Sequence, residues 1–156
     1  MIESFVHRGC ELPAGLLYAL EDDVWVRLED DGAATLGMMD TAQTRCGKLV
    51  HVQFKAVGRR LRRDQSAATI ESAKWVGPFP TPLSGEIVAT NAETFARDIL
   101  AANKDPYGKG WLVRLRPSNL EEERTALAGD DAARREFVAR LEELEINCIR
   151  CAETNE

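Results

Sequence analysis

Apolar and polar residues alternate in short runs through the first half of the chain and then give way to helical spacing. Val24-Trp25-Val26-Arg27-Leu28 alternates, Asp31-Gly32 supplies a hairpin turn, and residues 33–36 return as the partner strand. Residues 41–46 predict a short helix stopped by Gly47, followed by a strand bearing Leu49, Val50, Val52 and Phe54 that breaks at Val57-Gly58. Residues 67–72 and 87–89 predict further strands. Between them, Trp75-Val76-Gly77-Pro78-Phe79-Pro80-Thr81-Pro82 holds three prolines, which lack the amide hydrogen of a central ladder position. That stretch belongs on a sheet edge or in a loop.

Farther on, Phe95, Ile99 and Leu100 give 94–102 a helical spacing, and Asp105-Pro106-Tyr107-Gly108-Lys109-Gly110 is a turn feeding a strand over 111–115. Ser118 or Asn119 followed by Glu121, Glu122 and Glu123 predicts a helix start, because carboxylates suit the positive end of the helix dipole; Gly129 predicts its stop. A second helix begins near Asp130, with Phe137, Leu141 and Leu144 as one apolar stripe packed on the sheet body. The pattern is mainly β with C-terminal helices: a β body over 1–118 with a short N-terminal segment, and a helical extension over 119–156.

With 156 residues, 44% of them hydrophobic, the chain reads as one ordinary domain. Twenty Lys and Arg against 26 Asp and Glu leave a charge of −6, which argues against a general nucleic-acid binder. No window approaches the ~18 to 20 apolar residues of a membrane span. The first ten residues lack a basic segment followed by an apolar one, so a cytoplasmic protein is expected, with neither membrane nor nucleic acid among its partners. Four cysteines, Cys10, Cys46, Cys148 and Cys151, are too sparse for a disulfide-stapled mini-domain, and reduced thiols are the expectation.

Ile70-Glu71-Ser72-Ala73-Lys74-Trp75 places one lysine between two strand signals. A lysine at a hairpin tip is solvated enough to meet a modifying enzyme, while the flanking strands fix its position. Acylation by a long-chain acid would give an arm on the order of 14 Å from backbone to tip. Taken alone, Lys74 reads as an ordinary surface lysine in a loop.

The surrounding residues resemble the H protein of the glycine cleavage system and the wider lipoyl-carrier superfamily. The shared pattern is Glu71, Ser72 and Lys74, then Ser84-Gly85-Glu86 with the glycine eleven residues after the lysine. Trp25-Val26-Arg27 through Gly37 and Ala42-Gln43, and 105–111 running into Arg116-Pro117-Ser118, match in the same order, so the resemblance spans roughly residues 13 to 128. It implies a barrel-sandwich hybrid of two small sheets and a cofactor-bearing carrier that is not itself an enzyme. It further implies lipoate amide-linked to Lys74, with Glu71, Ser72 and Gly85 as the modification motif, installed by a lipoate-protein ligase or lipoyl transferase that reads the folded hairpin. Biotin carriers usually flank the lysine with methionines; here Ala73 and Trp75 do so, which favours lipoate.

Two departures bear on the cargo. In the glycine enzyme the arm bears an aminomethyl group, whose ammonium needs carboxylate partners when shielded from water. The family pattern places one acid in a His-Glu-Trp and another four residues after the lysine; here those positions are Val24 and Pro78, with Asp22 and Asp23 nearby as candidate replacements. The chain also continues to Cys148-Ile149-Arg150-Cys151, a Cys-x-x-Cys pair with an internal arginine, able in principle to exchange with a disulfide and half of what a zinc site needs. These features resemble the lipoate-binding proteins of sulfur-oxidising bacteria. That resemblance implies a swinging arm bearing sulfur intermediates, with a heterodisulfide-reductase-like complex or dihydrolipoamide dehydrogenase as redox partner. The alternatives are an H protein of glycine cleavage, a thiol oxidoreductase using Cys148 and Cys151, and a scaffold that has lost its arm.

Lys55, Arg59, Arg60, Arg62 and Arg63 form a basic run: a solvated edge, or a surface steering an acidic partner toward the nearby lysine. His7 and His51 lack ligand-spaced companions, and no metal site is expected.

Overall fold

The computed structural model describes residues 4–150. Its strands are β1 (Ser4–His7), β2 (Cys10–Pro13), β3 (Leu17–Ala19), β4 (Val24–Leu28), β5 (Ala34–Met38), β6 (Leu49–Phe54), β7 (Arg60–Leu61), β8 (Ser66–Ser72), β9 (Val76–Pro80), β10 (Gly85–Thr90), β11 (Val113–Pro117) and β12 (Ala128–Gly129). The helices are α1 (Asp40–Cys46), α2 (Ala92–Arg97), α3 (Ala101–Lys104), α4 (Leu120–Glu123) and α5 (Asp130–Leu144).

Seven strands form an antiparallel sheet in the order β12-β3-β4-β5-β11-β10-β7, and β6-β8-β9 form a smaller one. Inward residues of both, among them Val26, Leu36, Val52, Ile70, Phe79, Ile87 and Leu115, are buried together as the main core. The arrangement is sandwich-like and open, not a closed barrel. As the prolines require, 76–80 is an edge strand, paired on one side only with β8.

A second core lies on the other side of β3 and β4. Tyr18, Trp25 and Met39 meet Phe137 and Leu141 of α5, and the β1–β2 hairpin closes over them with Cys10 and Leu12. Trp25 donates its indole N–H to Pro106 O at 2.9 Å, and Tyr107 donates its hydroxyl to Glu11 O at 2.6 Å. The Asp105-Pro106-Tyr107-Gly108 turn therefore fastens β2 and β4 to the body.

Several expectations need correction. The helix expected over 94–102 is two short ones, α2 and α3, broken at Asp98, whose side chain accepts the Leu100 N–H in place of a helical carbonyl. Gly129 does not stop a helix: it pairs with Leu17 in β12, so the helical extension lends a strand to the larger sheet. Leu144 leaves the apolar stripe of α5 and is 45% exposed, while Ala133 takes the inner place with Phe137 and Leu141. The expectation of reduced thiols fails for Cys10 and Cys148, which are bonded to each other across 138 positions of sequence. Both sulfurs sit inside the second core, where the hairpin and the end of α5 converge, a meeting that spacing cannot reveal. Among the described residues, no helix is long and apolar enough to cross a membrane.

Candidate functional site

Lys74 stands exposed in the three-residue turn that joins β8 to β9. The last ladder pair is Glu71 with Val76, after which Ser72 N–H donates to Trp75 O at 2.8 Å. Buried Ser72 tightens this turn, its hydroxyl donating to Trp75 O and accepting from Lys74 N–H, both at 3.4 Å. The serine two positions before the lysine thus sets the turn that presents the amine. Half-buried Glu71 stands on the last rung toward β9, opposite Val76, and faces His51 of β6 on its other side.

The lysine side chain lies across the C-terminus of α1. Gly47 ends that helix at φ +83°, and a Cβ there would stand 3.2 Å from Lys74 Cε. Glycine serves twice, permitting the left-handed turn and leaving room for the lysine methylenes. Cys46, the last residue of α1, is the free cysteine among the described residues; burial pushes its thiol up to about 11, opposed by a backbone hydrogen bond and the Lys74 charge.

A groove of about 400 Å³ opens on one side of α1, lined by Met38, Ile70, Phe79, Trp75 and Pro78, with Asp22, Asp23, Arg45 and Cys46. Trp75 folds over Gly77 and is 42% exposed, so it both closes the hairpin and walls the groove. Val24 contributes nothing there, being fully buried in the main core. Asp23 does reach it, but its carboxylate accepts from Thr41 Oγ1 at 2.8 Å and pairs with Arg45 at 3.3 Å and Arg140 at 3.6 Å. Burial, with Asp64, Glu21 and Asp23 close by, raises the Asp22 carboxyl. Arg140 lies 117 positions from Asp23, and nothing in the sequence signals their pairing. A second groove, about 590 Å³, opens on the Gly47 side, between α1, α3 and the chain after α5.

Other predicted residues fall elsewhere. Gly85 begins β10, and β9 alone separates it from the lysine turn by roughly 15 Å. It is closely packed: a Cβ would lie 2.5 Å from Arg116 O. Ser84 and buried Glu123 hold the same corner, the serine N–H and hydroxyl donating to the carboxylate at 2.7 and 2.6 Å. Arg59, Arg60, Arg62 and Arg63 of the basic run are exposed around β7, and Lys55 is half-buried just after β6, at the end of β8 opposite Lys74, so nearness in sequence is not nearness to the arm. Cys148 is bonded to Cys10 and 4% exposed, hence not a free partner for exchange; Cys151 lies outside the described residues. His7 pairs with Glu142 at 2.7 Å, and no cluster suited to a metal ion occurs among the described residues.

The hairpin thus presents an exposed amine beside two grooves. Residues 16–139 match the family model described as Glycine cleavage H-protein. The chain is 39% identical over 148 residues to Glycine cleavage system H protein 3 of Aquifex aeolicus, covering 93% of this chain and 91% of that protein. It is 43% identical over 129 residues to Probable glycine cleavage system H protein 2 of Saccharolobus solfataricus, covering 81% and 86%. The crystal structure of a glycine cleavage system H protein from Mycobacterium marinum superposes with a TM-score of 0.69 at 29% identity, over 81% of this chain and 99% of that one. Members of this family are non-catalytic carriers with covalently attached lipoate. The chain belongs to the glycine cleavage H-protein family.

Proposed function

We propose that this lipoyl carrier holds its lipoate in amide linkage on Lys74 and serves a glycine cleavage system, passing the aminomethyl group between partner enzymes. The observation behind this reading is the lysine itself, exposed in a turn that Ser72 braces, its methylenes laid over Gly47. Lipoate supplies a dithiol–disulfide couple, while the protein supplies position. A lipoate-protein ligase or lipoyl transferase recognises the folded β8–β9 hairpin, and dihydrolipoamide dehydrogenase reoxidises the arm. The setting is cytoplasmic.

The test begins with co-expression with a ligase and lipoate. Intact mass should increase by one lipoyl group, and Lys74→Ala should abolish that increase; an unchanged mass in the wild type overturns the assignment. Mixed with the other glycine cleavage enzymes, the lipoylated protein should support glycine-dependent turnover that Lys74→Ala lacks.

A second reading rests on the groove. Val24 is buried in the core, Pro78 stands in the wall, and Asp23 is shared between two guanidinium groups, so the aminomethyl ammonium finds few uncommitted carboxylates. This favours a carrier of sulfur intermediates working with a heterodisulfide-reductase-like complex in sulfur oxidation. Binding to that complex, with no glycine-dependent turnover, would select this second cargo over the first.

A further inference from the structure

Residues before 16 and after 139 lie outside the match to the family model, and in this protein the two are fastened to one another. Besides the Cys10–Cys148 bond, Cys148 N–H donates to Arg8 O at 2.9 Å and Arg8 Nε donates to Ile146 O at 2.8 Å. Arg150 then pairs with Glu11 at 2.7 Å and with fully buried Asp40, at the start of α1, at 3.0 Å. Residues 145–150 therefore form a strap drawn across the β1–β2 hairpin as far as α1.

The strap completes the larger groove. Ile149, 65% exposed, stands in its lining together with Leu100, Asn103 and Gly47. Gly47 is also the residue against which the Lys74 methylenes lie. The tether thus begins at the lip of this groove, and an arm on the order of 14 Å long reaches across it. An exposed isoleucine and an oxidised arm, neutral and largely aliphatic, both gain by leaving water together. Both grooves carry charge in their linings, Lys48, Lys104 and Arg150 in the larger and Asp22, Asp23 and Arg45 in the smaller; the larger is the one that Gly47 and the strap share.

We propose that the groove between α1, α3 and the strap is a resting seat for the arm on Lys74, with Ile149 and Leu100 against its methylenes. The inference rests on lipoate being attached at Lys74.

Nuclear Overhauser spectra of the lipoylated protein, labelled at isoleucine, leucine and methionine methyls, test it. Lipoylation is verified first by intact mass. Contacts are expected from the arm methylenes to Ile149 and Leu100. Ile149→Glu should remove these contacts while leaving the lipoyl mass increase in place; the residue is exposed, so folding is spared. Contacts to Ile70 and Met38 instead, or to none of the four, overturn the seat but leave the attachment standing. A missing mass increase overturns both.

Discussion

At the scale of single residues, the site depends on small groups in defined places more than on reactive ones. Ser72 braces the turn, Gly47 makes room for the lysine methylenes, and Cys46 sits buried beside them. Because burial holds the Cys46 thiol up at about 11, against 9.0 for an ordinary thiol, its proton is kept in the folded state where the unfolded chain has begun to lose it. Stability should therefore fall as pH rises from 9.0 through about 11, and Cys46→Ala should flatten that fall in pH-dependent denaturant midpoints. Lipoylation turns the lysine ammonium into a neutral amide and removes one influence that lowers this thiol's pKa. Alkylation of Cys46 at neutral pH should consequently be slow, and slower still in the lipoylated protein; peptide mapping by mass checks both.

At the scale of elements, the family motif divides into two parts that stand in separate places. The β8–β9 turn presents the amine, whereas Gly85 and Ser84 join β10 to β11 and α4 at the far end of the sandwich. A Cβ on Gly85 meets backbone on Arg116 and Pro117, at 2.5 and 3.0 Å, and neither can rotate away. Gly85→Ala should cost about 1–3 kcal/mol in chemical denaturation, the range for overpacking a filled site. Lipoylation of the folded fraction should proceed as in the wild type. A variant of normal stability that cannot be lipoylated would instead place Gly85 in the surface that the ligase reads. The basic residues around β7 likewise stand apart from the arm, consistent with charged protection of a sheet edge.

For the whole molecule, one bond ties the beginning of the described chain to its end. Cys10–Cys148 closes a loop of 138 positions, so in the chain-entropy view the unfolded state loses a large share of its freedom. Cys148→Ser should lower stability by about 2–5 kcal/mol, the usual cost of losing a native disulfide in a small domain. Its melting temperature should no longer respond to dithiothreitol, unlike that of the wild type. Equal responses in both proteins would mean that the bridge does not form in solution. The His7–Glu142 and Arg8–Glu142 pairs join the same elements from the surface, where exposure limits what they contribute.

The sequence by itself determined the local pieces: the Val24–Leu28 and Ala34–Met38 hairpin, the helix ended by Gly47, the proline-rich edge strand and the lysine at a turn. Each rests on alternation, a proline or a glycine, signals written within a few consecutive positions. Only the tertiary structure decided that Arg140 reaches Asp23, that Cys148 bonds Cys10 instead of pairing with a nearby thiol, and that the basic run stands far from Lys74. Such contacts join positions far apart in the chain, or separate neighbours by the length of a strand. Their energy comes from burial in a shared core, and no local pattern encodes which distant surfaces will meet there.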